Sequence, residues 1–165
     1  MSTQHLEDID SFLQISDEIA TSGQPTAAQF LVIKQSGYRL IVNLALPTSN
    51  NALLDEKQIV ESQGMEYVHI PVLWENPTIE NVTEFFSIME VNADKKVFVH
   101  CAANKRVSAF IYLYRRLFTD INEQEAKQDL YKIWVPNEIW NKFIQEVIEI
   151  NNASLDMIRL PSCDR

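Results

Sequence analysis

Val97-Phe98-Val99-His100-Cys101-Ala102-Ala103-Asn104-Lys105-Arg106-Val107-Ser108 passes from an apolar triplet through a short polar loop into helical periodicity. The triplet is apolar on both faces, which is the pattern of a strand buried in the middle of a parallel sheet. Downstream, Val107, Phe110, Ile111, Tyr114, Leu117 and Phe118 recur at helical spacing, while Ala109 and Leu113 widen the apolar arc. This helix is expected in the core. A cysteine therefore stands at the carboxyl end of a central strand, just before a helix N-terminus, and open α/β sheets bind their ligands there.

Upstream of this stretch a helix-like segment is followed by a short apolar run three times over, the alternation of a largely parallel sheet flanked by helices. The first helix is expected over residues 26–36, after Pro25, with Gly37 as its left-handed C-terminal cap and the strand 40–44 next. A second, over residues 51–63, ends at Gly64 and delivers the strand 67–70, which Pro71 closes. Thr78 caps a third helix with Ile79, Val82, Phe86 and Met89 inward, and the triplet at Val97 follows it. After the core helix, Asn122 and Glu125 suggest a capping box for a helix through Ala126, Leu130 and Ile133. Asn137, after Pro136, starts the last helix with Ile139, Trp140, Phe143 and Val147 inward. The 165 residues, 46% of them hydrophobic, suit one α/β domain with a core over about residues 12–150 and a tail from 153 to 165.

A formal net charge of −9 repels nucleic acid, anionic membrane and acidic proteins, so any anionic substrate has to be captured by a local feature. No apolar run suggests a signal or a membrane anchor, and the cytoplasm is the expected location. Cys101 and Cys163 make neither a disulfide framework nor, with the histidines, a zinc spacing. With three glycines and no Gly-rich nucleotide loop, neither a metal nor a cofactor is called for.

The local feature is the loop itself. Successive N–H groups of residues 102–107, with the positive end of a helix behind them, bind an oxyanion and favour thiolate over thiol at Cys101. A thiolate aimed at a bound oxyanion is a nucleophile. The alternative is a small buried cysteine beside a hydrogen-bonded core histidine.

Residues 100–108 resemble the active-site signature of the protein tyrosine and dual-specificity phosphatases: His, Cys, five residues, Arg, then Ser or Thr. His100, Cys101 and Ser108 stand in that register. The stretch Ile19-Ala20-Thr21-Ser22-Gly23-Gln24-Pro25 and the strand after Gly37 resemble a bacterial family of small phosphatase-like domains. Its members occur alone or fused to metallo-β-lactamase-fold proteins of sulfur metabolism. The resemblance, over about residues 12–150, implies a dual-specificity-phosphatase-like fold and a phosphate-bearing substrate. It also implies that Cys101 forms a phosphocysteine, that Ser108 hydrogen-bonds the sulfur, and that His100 braces a loop of Ala102, Ala103, Asn104, Lys105 and Val107 around the anion.

Two positions depart from that pattern. Asn104 stands where the family usually has Gly, a mild change because Asn tolerates positive φ. Val107 stands where the arginine that clasps phosphate belongs, and Arg106 comes one residue early. One residue on a helix is a rotation of about 100°, so Arg106 cannot make the same fork unless the loop is rebuilt. Loss of such a donor lowers rates by about 10²–10³. Arg106 and Lys105 are otherwise read as solvated surface charges.

Phosphatases of this kind also use a general acid after the preceding strand. In Ile70-Pro71-Val72-Leu73-Trp74-Glu75-Asn76-Pro77 the one carboxylate is Glu75, whose alternative is a solvated loop residue. Trp74 is expected in the core, and His69, Cys163, Arg115 and Arg116 in structural or solvated roles. The spacing from Cys101 to Arg106 also resembles the loop of single-domain rhodaneses, in which the cysteine carries a persulfide. The expectation is therefore a cysteine-dependent phosphatase slowed by its displaced arginine, with Cys101 as nucleophile, Arg106 as an imperfect anion clasp and Glu75 as general acid. Sulfur transfer at the same cysteine, or an anion-binding module without chemistry, are the alternatives.

Overall fold

The computed structural model describes residues 5–163, and the side-chain surroundings of residues 5–154. Its sheet is built on β5 (Val97–His100), all four of whose residues are buried. On one side β5 pairs in parallel with β3 (Leu40–Asn43), which pairs in parallel with β4 (Glu66–His69). On the other it pairs in parallel with β2 (Ile19–Ser22), and the short antiparallel β1 (Leu13–Gln14) closes that edge. The order is β1-β2-β5-β3-β4. Ser22, His100 and Asn43 are register partners, so three parallel strands end side by side and the loop after β5 opens from the middle of that edge.

Period-2 alternation divides the strands between two cores. Val97 and Val99, with Leu40 and Val42, face one side, while Phe98 and Ile41 face the other. The first core is filled by α3 (Ile79–Val91), α4 (Lys105–Phe118), α5 (Glu123–Ile133) and α6 (Glu138–Cys163). The second holds Phe30 and Ile33 of α1 (Ala27–Gln35) and Val60 of α2 (Glu56–Ser62). Each large aliphatic or aromatic side chain fully buried here contributes about 1.5–3 kcal/mol. In α4 every residue from 106 to 115 is buried, so this helix is the packing centre of its layer.

The expected caps at Thr78, Gly37 and Gly64 are present, and Thr26 adds one that was not anticipated. Thr26 and Thr78 accept from the N–H groups of Gln29 and Asn81, whose side chains reach back to the cap N–H in each case. Gly37 and Gly64 lie at φ 98° and 85°, the left-handed conformation that ends a helix without Cβ strain.

Several expectations are corrected. The second helix begins at Glu56 rather than 51, because Ser49, Asn50 and Asn51 turn the chain locally and the Asn51 amide is engaged elsewhere. In α3 Phe85 is fully buried against Phe110 at 5.5 Å, and Phe86 packs at the margin on Phe118. Asn122 caps α5 through Gln124 N–H rather than through a box with Glu125. In α6 Ile144 is buried and Ile139 is half exposed, and the helix continues to Cys163 through most of the expected tail. Residues 164–165 and the Cys163 side chain lie outside what is described. Strands β1 and β2, upstream of the alternation, were not anticipated.

Candidate active site

Cys101 follows β5 directly and is 1% exposed, with its N–H on the Ser22 carbonyl at 3.4 Å. Asn104 turns the loop at φ 66°, in the left-handed region where a glycine was expected. Its side chain fixes the turn, because Nδ2 donates to the Ser11 carbonyl at 2.8 Å and to Thr21 Oγ1 at 3.0 Å. Helix α4 starts at the next residue, and the first of its N–H groups with a backbone acceptor is that of Ser108, on the Asn104 carbonyl at 2.8 Å. Among the described residues, the N–H groups of residues 102, 103 and 105–107 have no backbone acceptor, while the Gly23–Ala103 bridge turns that of Asn104 toward the Ser22 carbonyl. Unbonded N–H groups on this loop, with the positive end of a long helix behind them, are the donor set that an oxyanion would require.

The loop is held from outside by its own carbonyls. Ala102 O accepts from Gln24 N–H at 3.3 Å and from Asn51 Nδ2 at 3.2 Å, and Ala103 bridges to Gly23. Gly23 is required by this approach, since a Cβ there would lie 2.8 Å from Ala102 O and 3.2 Å from Asp10 O. Gly23→Ala is therefore expected to destabilise the protein by about 1–3 kcal/mol in urea unfolding, by displacing backbone at both contacts.

Beneath the loop lies a buried, hydrogen-bonded His100–Glu56 pair. His100, 0% exposed, places Nε2 2.6 Å from Glu56 Oε2, and Glu56, 3% exposed, takes a second hydrogen bond from Gln24 Nε2 at 2.8 Å. Burial opposes ionisation of Glu56, but the hydrogen bond and charge of His100 and the amide of Gln24 outweigh it and hold the carboxyl below its usual range. The pair fixes the imidazole so that Nε2–H donates to the carboxylate, with Nδ1 3.3 Å from the Cys101 carbonyl.

Three residues sit differently from what the phosphatase signature implies. Val107, 0% exposed, is part of the main core. Arg106, 7% exposed, donates from Nη1 to the Val72 carbonyl at 2.8 Å, and no carboxylate pairs with it among the described residues. It is thus a buried group of α4 whose Nη1 is tied to the loop after β4, neither a solvated charge nor, with Nη1 so engaged, the anion clasp expected of it. Ser108 corrects the expectation of a hydrogen bond to sulfur: its hydroxyl donates to the Lys105 carbonyl at 2.9 Å and accepts from Trp134 Nε1 at 3.1 Å. With one proton to give, it has none left for Cys101.

Lys105 lies over the Trp134 ring at 5.8 Å. Trp74 packs between Trp134 and Trp140, whose indole N–H donates to the Trp74 carbonyl at 2.9 Å. Glu75 is exposed on the same loop, and no hydrogen bond joins it to residues 101–108. His69 bonds the Ala45 carbonyl, Arg115 pairs with Asp129, and Arg116 bonds Tyr112 and lies near Glu123.

Sequence reasoning did not find Glu56, Gln24, Asn51 or Trp134. Gln24 stands beside Gly23 in the stretch quoted for the family likeness. Glu56 sits in Asp55-Glu56-Lys57, which reads locally as a solvated face.

The family model described as DSP-PTPase phosphatase fused to NAD+ kinase matches residues 4–160. Among solved structures, a DUF442 protein of Shewanella putrefaciens CN-32 is 36% identical over 86% of this chain and 93% of its own, with a TM-score of 0.77. Tk-PTP in its active form is similar at 20% identity, over 84% of this chain and 97% of its own, with a TM-score of 0.72. The core catalytic domain of the PP-IP phosphatase SIW14 from S. cerevisiae, in complex with citrate, is similar at 16% identity over 88% and 93%, with a TM-score of 0.69. The last two speak for the fold alone. No curated protein matches the chain.

Proposed function

The chain belongs to the dual-specificity-type phosphatase family whose model spans residues 4–160, and on that premise we propose that it is a slow cysteine-dependent phosphomonoesterase. The observation that carries this reading is that the N–H groups of residues 102, 103 and 105–107, on the loop between Cys101 and the start of α4, have no backbone acceptor. A phosphoryl group held by those donors lies over the sulfur. Cys101 Sγ attacks phosphorus, the bond to the leaving oxygen breaks, and that oxygen takes a proton. Glu75, the one carboxylate of the loop after β4, supplies the proton by swinging its exposed side chain inward. Water then cleaves the phosphocysteine, releasing inorganic phosphate and restoring the thiolate.

The reaction is slow because no guanidinium serves the developing charge. The Arg106 bond to the Val72 carbonyl also weighs against the tighter, rhodanese-type loop, in which that arginine would face the anion. The test is to quench the protein with acid during turnover of a ³²P-labelled aryl phosphate. Label on a peptide containing Cys101, absent after Cys101→Ser, is the expected result. Phosphate binding without label would make the protein an anion-binding module, and thiosulfate-to-cyanide transfer without label would favour sulfur chemistry.

A further inference from the structure

We propose that the segment between β3 and α2 is the subsite for the group that carries the phosphate, and that it takes an uncharged, hydroxyl-rich group of sugar type. The proposal rests on the phosphatase reading and names its substrate class. Thr48, Ser49, Asn50 and Asn51 face Ala102 and Ala103 across an open pocket of about 560 Å³. Ala102 and Ala103 directly follow Cys101, so the pocket adjoins the loop on which the phosphatase reading places the phosphate.

The rim is held in a fixed relation to the phosphate. Asn51 Nδ2 donates to the Ala102 carbonyl at 3.2 Å, and two turns, Ser49 N–H to Leu46 O at 3.1 Å and Ala52 N–H to Ser49 O at 3.0 Å, shape the segment. A rim anchored in this way presents its side chains without a large ordering cost on binding.

Its chemistry selects the ligand. Hydroxyls and side-chain amides both donate and accept, as the hydroxyls of a sugar do, whereas a phosphate or carboxylate only accepts. No lysine, arginine or histidine lines the pocket, so a second phosphate on the substrate would meet no cation. Lys57, paired with Glu61 at 2.6 Å on the surface of α2, and Lys105, over Trp134 at 5.8 Å, both lie outside the lining. With a net charge of −9 the far field adds repulsion against a polyanion. No aromatic side chain lines the pocket either, so a phenyl ring would find only Leu46 and the two alanines.

The test uses the full chain carrying Cys101→Ser, so that binding is read without turnover. Affinities for inorganic phosphate, glucose 6-phosphate, phosphotyrosine and inositol 1,4,5-trisphosphate are compared by calorimetry. Glucose 6-phosphate is expected to bind about tenfold tighter than inorganic phosphate, as two net hydrogen bonds would give. The other two are expected to bind no tighter than inorganic phosphate. Adding Ser49→Ala and Asn50→Ala, at half-buried and exposed positions whose fold is checked by urea unfolding, should return the glucose 6-phosphate ratio to near one. A higher affinity for phosphotyrosine or the trisphosphate, or a ratio unmoved by the rim variant, overturns the subsite. Failure of inorganic phosphate itself to bind would instead remove the anion loop, and the phosphatase reading with it.

Discussion

Val107→Arg is expected to tighten phosphate binding and raise aryl phosphate turnover by about 10²–10³, the effect of one well-placed donor on transition-state charge. Residue 107 is the sixth after Cys101, on the first turn of α4 beside the unbonded N–H groups, and a planar fork there can reach two oxygens of the bound anion. Lysine has no such fork, so Val107→Lys should recover much less. Because Val107 is fully buried, the arginine variant should be less stable than the native protein without ligand and regain stability as phosphate is added. Arg106→Val tests the other side of the geometry. It leaves the Val72 carbonyl without its donor, and should cost about 1–3 kcal/mol in urea unfolding while changing phosphate affinity little. Calorimetric phosphate affinity, initial rates and urea midpoints for the three variants decide the matter. A large loss of affinity in Arg106→Val, with no gain in Val107→Arg, would place Arg106 on the anion and sink the phosphatase register of this loop.

The parts of the molecule that could be read from sequence are those whose determinants lie within one turn or one strand. Thr26, Thr78, Gly37 and Gly64 act on neighbouring backbone, and the helical repeat after Val107 reports the burial of α4 directly. The displacement of Arg106 was equally local, a matter of one residue's rotation, although the carbonyl it found, 34 residues upstream, was not. What escaped is set by distant partners. β1 has two residues and β2 four, too few to show a period; β2 takes its pairing from β5, and β1 takes its own from β2. The hydroxyl of Ser108 is turned from the sulfur by Lys105 O and by an indole 26 positions later. The polar run at 49–51 looked like the entry to a helix and instead turns against the loop after β5, where Asn51 bonds a carbonyl 51 residues away.

Glu56→Ala is expected to cost about 3–5 kcal/mol, because it leaves two buried donors, those of His100 and Gln24, without the carboxylate that both bond. His100 has no access to water and would face the gap with an unpartnered Nε2–H, as would the Gln24 amide. Glu56→Gln keeps the shape and an acceptor but loses the charge, so a smaller cost of about 1.5–3 kcal/mol is expected, the worth of a hydrogen bond to a charged group. The pH dependence separates charge from packing. The folded protein holds the Glu56 carboxyl below the usual value of 4.5, so the unfolded chain binds the proton more readily. This contribution is complete above the unfolded value and is lost as pH falls from there through the folded one. The gap in urea stability between native protein and Glu56→Gln should therefore be constant near neutrality and close below about pH 4.5. Since His100 adjoins Cys101, Glu56→Ala should also weaken phosphate binding in the fraction that remains folded. A cost below about 1 kcal/mol for Glu56→Ala, or a gap for Glu56→Gln that stays open into acid, would mean that the pair does not anchor the loop, and that the floor of the site is held by the packing of β5 alone.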